Sequence, residues 1–231
     1  MLVTRFIITY ALTLNILAED PCKSIKTTAI LHIPERLLTD EECISLLKAF
    51  EKISLRNLYR FCYFSGLPIR ECAAIKVTRY DPVTKKLMIK ENMDLFHHSG
   101  AVLQPVKYPR EVVINPLAAA CIEEEIELRK NKDLTPIAQN LVFSTAKGDI
   151  ISGSSIRCCN DIIKWEAWMR DFKPLMLRDN FLLRCIKAGI DDRTLENYFG
   201  IRDKVLLLLI NNKDGHLTPC LTGFPFWRNE S

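Results

Sequence analysis

The pattern of apolar and polar positions changes period several times along the chain. Phe6, Tyr10, Leu14 and Leu17 recur at helical spacing, so residues 3–17 read as a helix, ended by Glu19-Asp20-Pro21. Residues 21–35 read as an extended linker, because Pro34 holds Ile33 away from helix. Thr39-Asp40-Glu41-Glu42 is a capping box, and the helix behind it sets Cys43, Leu46, Leu47 and Phe50 on one face. An aromatic helix over 55–64 stops at Ser65-Gly66, and Pro68 suits the first position of a third helix, 68–75. Alternation then takes over. Ile75–Tyr80, a turn at Asp81-Pro82 and Leu87–Ile89 predict a hairpin, and Glu111–Ile114 a third strand, with 92–108 irregular between them. Helical periodicity returns over 117–130, 153–170, 175–187, 192–199 and 203–210, and Asn211–Ser231 reads as a loosely attached tail.

The expected class is therefore α+β: mostly helical, with a small three-stranded antiparallel sheet. Of 231 residues, 48% are hydrophobic and 26% charged, an ordinary globular composition, and the net charge of +4 tilts mildly toward anionic partners. The nine cysteines form no CxxC pair and read as reduced thiols of a cytoplasmic protein. The apolar run Met1–Ala18 admits a signal peptide, but Thr9, Tyr10, Thr13 and Asn15 interrupt it, and it is short for a membrane span. His97 and His98 have no partners at metal-ligand spacing. No GxSxG, Walker or HExxH motif occurs, and neither metal nor cofactor is called for.

Several phrases, in order, resemble the tyrosine recombinase (phage integrase) family. Leu37-Leu38-Thr39-Asp40-Glu41-Glu42 looks like the start of its catalytic domain. Ser65-Gly66-Leu67 with Ile69 and Glu71 is similar to its Thr-Gly-Leu-Arg-Ile-Ser-Glu phrase. Residues 110–117 resemble the strand ending in Val-Pro-Leu, and Leu175-Met176-Leu177-Arg178 with Phe181 resembles the His-x-x-Arg helix. Ala188-Gly189-Ile190-Asp191 and Phe199-Gly200 match the segment after that helix. The resemblance implies a remnant of an N-terminal core-binding domain plus linker at 1–35, a catalytic-like domain at 36–210 and a divergent tail at 211–231. It also implies double-stranded DNA as partner, admits a second recombinase subunit as another, and implies no membrane.

The family cleaves DNA by attack of a tyrosine on a phosphodiester, with two arginines clamping the phosphate oxygens. A lysine on the hairpin serves as general acid, and histidines flank the second arginine. Carried over position by position, that second arginine is Arg178, the one family residue in register. The first falls at Pro68; Arg70 lies two residues on, about 200° around a helix. The histidines fall at Leu175 and Ile201, and the nucleophile at Ile210; no tyrosine follows Tyr198, itself expected in the core. Lys90 and Lys107 are candidates for the lysine. Losing one catalytic donor costs about 10²–10³ in rate, and covalent catalysis has no route without its nucleophile. The expectation is a degenerate recombinase without strand cleavage, whose DNA contacts come from Arg70, Lys76, Arg79, Lys107 and Arg178. Lys23, Lys26, Arg56 and Arg60 are further cations able to meet phosphates. The alternatives are a non-enzymatic interaction subunit, docking through Leu217, Leu221, Phe224, Phe226 and Trp227, or a decayed remnant.

Overall fold

A computed structural model describes residues 37–95 and 101–200, with Ile16, Leu17 and Glu19 besides. The helices expected over 3–17 and 203–210, the linker, the tail, His97, His98, Ile201 and Ile210 lie outside the described residues.

The first helix, α1 (Asp40–Phe50), begins at the expected box: Thr39 Oγ1 accepts from the Glu42 amide at 3.2 Å, and Glu42 Oε2 accepts from the Thr39 amide at 2.9 Å. Its inner face buries Cys43, Leu46, Ala49 and Phe50. Helix α2 (Arg56–Ser65) ends at Gly66, whose φ of 67° gives the left-handed cap. Helix α3 is shorter than expected, Ile69–Cys72, with Pro68 in extended geometry as its cap.

The sheet departs most from expectation. Val77–Arg79 is a 3₁₀ turn, and β1 is only Tyr80–Asp81. The alternation over Ile75–Tyr80 has another origin: Ile75 and Tyr80 are buried, and the Ile75 carbonyl accepts from the Val142 amide at 2.8 Å while Lys76 bridges Leu141. Strand β2 (Lys86–Asp94) and strand β3 (Val102–Val113) extend through most of the stretch expected to be irregular. Polar residues, Pro105 and Pro109 mask the inward positions Met93 and Val106 there. The order is β1-β2-β3, antiparallel throughout.

Helix α4 (Pro116–Arg129) starts from Asn115, whose side chain accepts from the Ala118 amide at 2.9 Å. Helix α5 (Gly153–Glu166) stops four residues short of expectation, because Trp168 turns left-handed at φ 55°. Helices α6 (Leu175–Lys187) and α7 (Asp192–Phe199) have the expected bounds. One core runs from Leu38 to Leu177, and a second cluster joins Leu182, Leu183, Cys185 and Ile186 of α6 to Leu195 and Phe199 of α7. These seven helices and three strands realise the α+β class. Among the described residues, no helix is long and apolar enough to cross a membrane.

Candidate functional site

The turn between α2 and α3 is where the fold brings the sequence's key phrases together. Ser65 folds its hydroxyl back to the Phe61 carbonyl at 2.7 Å and accepts from the Leu67 amide at 3.2 Å. Gly66 lies under Phe181 of α6: a β-carbon there would sit 2.5 Å from Phe181 Cγ. Phe181 stacks on Tyr198 of α7, with ring centroids 6.1 Å apart at 13°. The Tyr198 hydroxyl donates to the Ser65 carbonyl at 2.8 Å. The phrase that holds Pro68 is thus clamped by α6 and α7.

Arg178 stands one turn before Phe181 on α6, on the same side of the helix. Its Nε is buried and has no hydrogen-bond partner among the described residues. A guanidinium N–H without an acceptor costs free energy until an anion or other acceptor satisfies it. Leu175, at the start of α6, and Pro68 present no donor side chain. Burial, with Cys185 and Cys72 adding to it, pushes the Tyr198 phenol far above its ordinary range, against the opposing charge of Arg110. That hydroxyl is a structural donor, in keeping with a core role.

The other candidates are distributed around the hairpin. Arg70 Nε donates to the Met93 carbonyl at 2.9 Å, and its guanidinium pairs with Asp94 at 3.0 Å, so it holds the end of β2. Lys76 pairs with Glu91 of β2 at 2.6 Å. Arg79 is half-buried and has no ion-pair partner among the described residues. Pairing of β2 with β3 slips between Ile89↔Arg110 and Glu91↔Pro105, so Lys90 faces the stretch Val106–Pro109. Both lysine candidates, Lys90 and Lys107, therefore sit exposed at one irregularity of the hairpin. Lys107 also lies 5.0 Å from the Tyr108 ring centroid. Arg56 and Arg60 both pair with Glu124 of α4 and with Glu51.

Sequence reasoning missed Arg110. Its guanidinium pairs with Glu71 of α3 at 2.6 Å, and its Nε donates to the Tyr198 carbonyl at 2.7 Å. Gly200 packs against it: a β-carbon there would lie 2.9 Å from one guanidinium nitrogen. The available signal was parity, since Arg110 shares the inward side of β3 with Val106 and Val112.

No family model matches the chain. In sequence it is 25% identical over 168 residues to the tyrosine recombinase XerC of Staphylococcus aureus strain JH9, covering 70% of this chain and 51% of that protein. The XerC of strain N315 matches equally. The chain thus spans about half the length of these curated relatives. In fold it is similar to the Tn1549 transposon integrase in complex with transposon right end DNA: TM-score 0.66 and 15% identity, over 91% of this chain and 71% of that one. The XerA recombinase gives 0.60 at 16% identity, over 79% and 61%. A lambda integrase dimer bound to a COC' core site gives 0.52 at 11%, over 93% and 72%. The described residues have the tyrosine recombinase catalytic-domain fold.

Proposed function

We propose that this chain, built on the tyrosine recombinase catalytic-domain fold, is a duplex-DNA-binding protein of site-specific recombination that does not itself cleave a strand. The observation that carries this reading is the contrast inside one clamped region. Arg178 keeps a buried Nε with no acceptor among the described residues, while in the register that the family resemblance implies Pro68 and Leu175 fall where a phosphate-clamping arginine and a histidine are needed. The first suits holding a phosphate; the second removes the stabilisation of a developing negative charge. Ile210 stands in the nucleophile's place, and a side chain without a hydroxyl cannot attack phosphorus. Tyr198 is no substitute, because its proton is donated to Ser65 and burial opposes its ionisation.

The rest of the binding comes from Lys90, Lys107 and Arg79 around the hairpin. Arg70 and Lys76 contribute less phosphate affinity than isolated cations, because Asp94 and Glu91 already neutralise them. Six of the seven described cysteines are buried, and all seven are free thiols, which supports a reducing compartment.

Gel retardation of a mixed-sequence DNA duplex tests the binding half. Retention is expected at low salt, falling as salt rises with a slope of about 0.9 per phosphate contact. Arg178→Ala is expected to weaken it by about tenfold, the scale of one charge-assisted contact. No retention at the lowest salt would overturn the reading. A suicide duplex tests the other half: a covalent protein–DNA adduct would show that the chain cleaves after all.

A further inference from the structure

Helix α5 turns Ile156, Cys159 and Ile163 inward and leaves its opposite face uncovered. Ser154, Cys158, Asp161 and Trp165 recur there in one line, flanked by Arg157 and half-buried Ile162. Trp165 is 75% exposed and Trp168 is 88% exposed, and the two indoles stack at 6.1 Å and 23°. An open trough of about 700 Å³ runs beside Trp165, lined by that residue with Ser154, Arg157, Cys158, Asp161, Ile162 and Glu166. Large exposed aromatics side by side mark a surface with a partner.

The backbone gives a second, independent sign. The α5 terminus closes as a Schellman motif, with the Met169 amide donating to the Lys164 carbonyl at 3.0 Å and the Trp168 amide to the Trp165 carbonyl at 3.3 Å. The motif puts Trp168 at φ 55°, where glycine is preferred and a bulky side chain is disfavoured. Apart from its stack on Trp165, an indole that is strained there and 88% exposed buries little surface in its own fold.

Size and charge along the face identify the occupant. Its N-terminal half is small (Ser154, Cys158) and its C-terminal half is large (Ile162, Trp165, Trp168). Such a taper fits its own image only in reverse. We propose that two copies of this chain pair their α5 helices antiparallel about a two-fold axis near Cys159, each Trp165 lying over the partner's Ser154. The same axis keeps Arg157 and Asp161, which lean to one side of the stripe, on a common side and brings each Arg157 to the partner's Asp161. Trp168 extends the cover toward the start of the partner helix. The contact is isologous, so it closes at two copies. One helix pair buries less than the ~1,600 Å² of a standard interface, so a micromolar dissociation constant is the expected scale.

Sedimentation velocity of the full chain without DNA tests this separately from the DNA reading. The wild type is expected to pass from monomer to dimer as its concentration rises through the micromolar range. Trp165→Ala raises the dissociation constant by at least about tenfold. Arg157→Asp places like charges opposite each other and also abolishes the dimer, while Arg157→Asp with Asp161→Arg restores it; an ion pair within one helix would leave association unchanged in all three. Trp168→Gly raises the unfolding midpoint and weakens the dimer together. A bismaleimide of short span links the two Cys158 thiols of the wild-type dimer. A strict monomer throughout, or a dimer indifferent to Trp165 and to the charge swap, would overturn the proposal and leave the face to a partner of other sequence.

Discussion

At the scale of single residues, Gly66 and Gly189 separate two effects that usually come together. Both have positive φ, 67° and 78°. A β-carbon on Gly66 would meet Phe181 at 2.5 Å, whereas one on Gly189 would meet nothing among the described residues within 4 Å. Gly189→Ala therefore costs only the left-handed backbone penalty, about 1 kcal/mol. Gly66→Ala adds displacement of a ring stacked on Tyr198, a further ~2 kcal/mol. Urea unfolding of the two variants checks the difference; equal midpoints would mean that Phe181 does not press on the turn. The turn matters beyond stability because Pro68 lies two residues on, and it is legible in sequence for the same reason: a helix stopping at Ser65-Gly66 needs a left-handed cap.

At the scale of elements, α3, β3 and α7 are joined through Arg110. Its side chain is 9% exposed and that of Glu71 is 15% exposed, so the pair sits where loss of one partner strands the other. Arg110→Met is expected to destabilise by about 3 kcal/mol and to speed amide exchange in α7, because the carbonyl of Tyr198 loses its donor. Arg110→Met with Glu71→Leu should recover most of that cost, since no buried charge is then left alone. Thermal unfolding of both variants reads this; a double variant as unstable as the single one would mean that the pair adds net stability. This link also shows where sequence reading fails. Helices α1, α2, α6 and α7 were legible because caps and 3.6-residue periodicity are local signals. The extent of β2 and β3 was not, because a register slip and two prolines broke the alternation by which strands are recognised. The Arg110 pair was hidden further, since it spans 39 positions of sequence. Of the candidate site, identities at fixed offsets were legible, Arg178, Pro68 and Leu175 among them; the ion pairs that occupy Arg70 and Lys76 were not.

At the scale of the whole molecule, the core holds several cysteines and tyrosines, groups that lose protons at high pH. Burial pushes the Cys121 and Cys185 thiols up from 9.0 to about 12. It raises the Tyr59, Tyr63 and Tyr198 phenols as well. In the unfolded chain the thiols ionise near 9.0, while in the folded chain they stay protonated to about 12. Their contribution to stability is therefore complete below 9.0 and is lost as pH rises from there toward about 12. Each thiol gives up as much as about 1.4 kcal/mol per pH unit in that window, and the phenols join only above their ordinary 10.0. The molecule should thus keep its urea midpoint through neutral pH and lose about 3 kcal/mol through these two thiols by about pH 10. Replacing Cys121 and Cys185 together by alanine should lower the midpoint at neutral pH, through lost packing, yet flatten its fall between about pH 8 and 10. The slope of stability against pH separates titration from packing, because packing loss is the same at every pH. A slope unchanged by the double substitution would place the alkaline sensitivity elsewhere than in these two thiols.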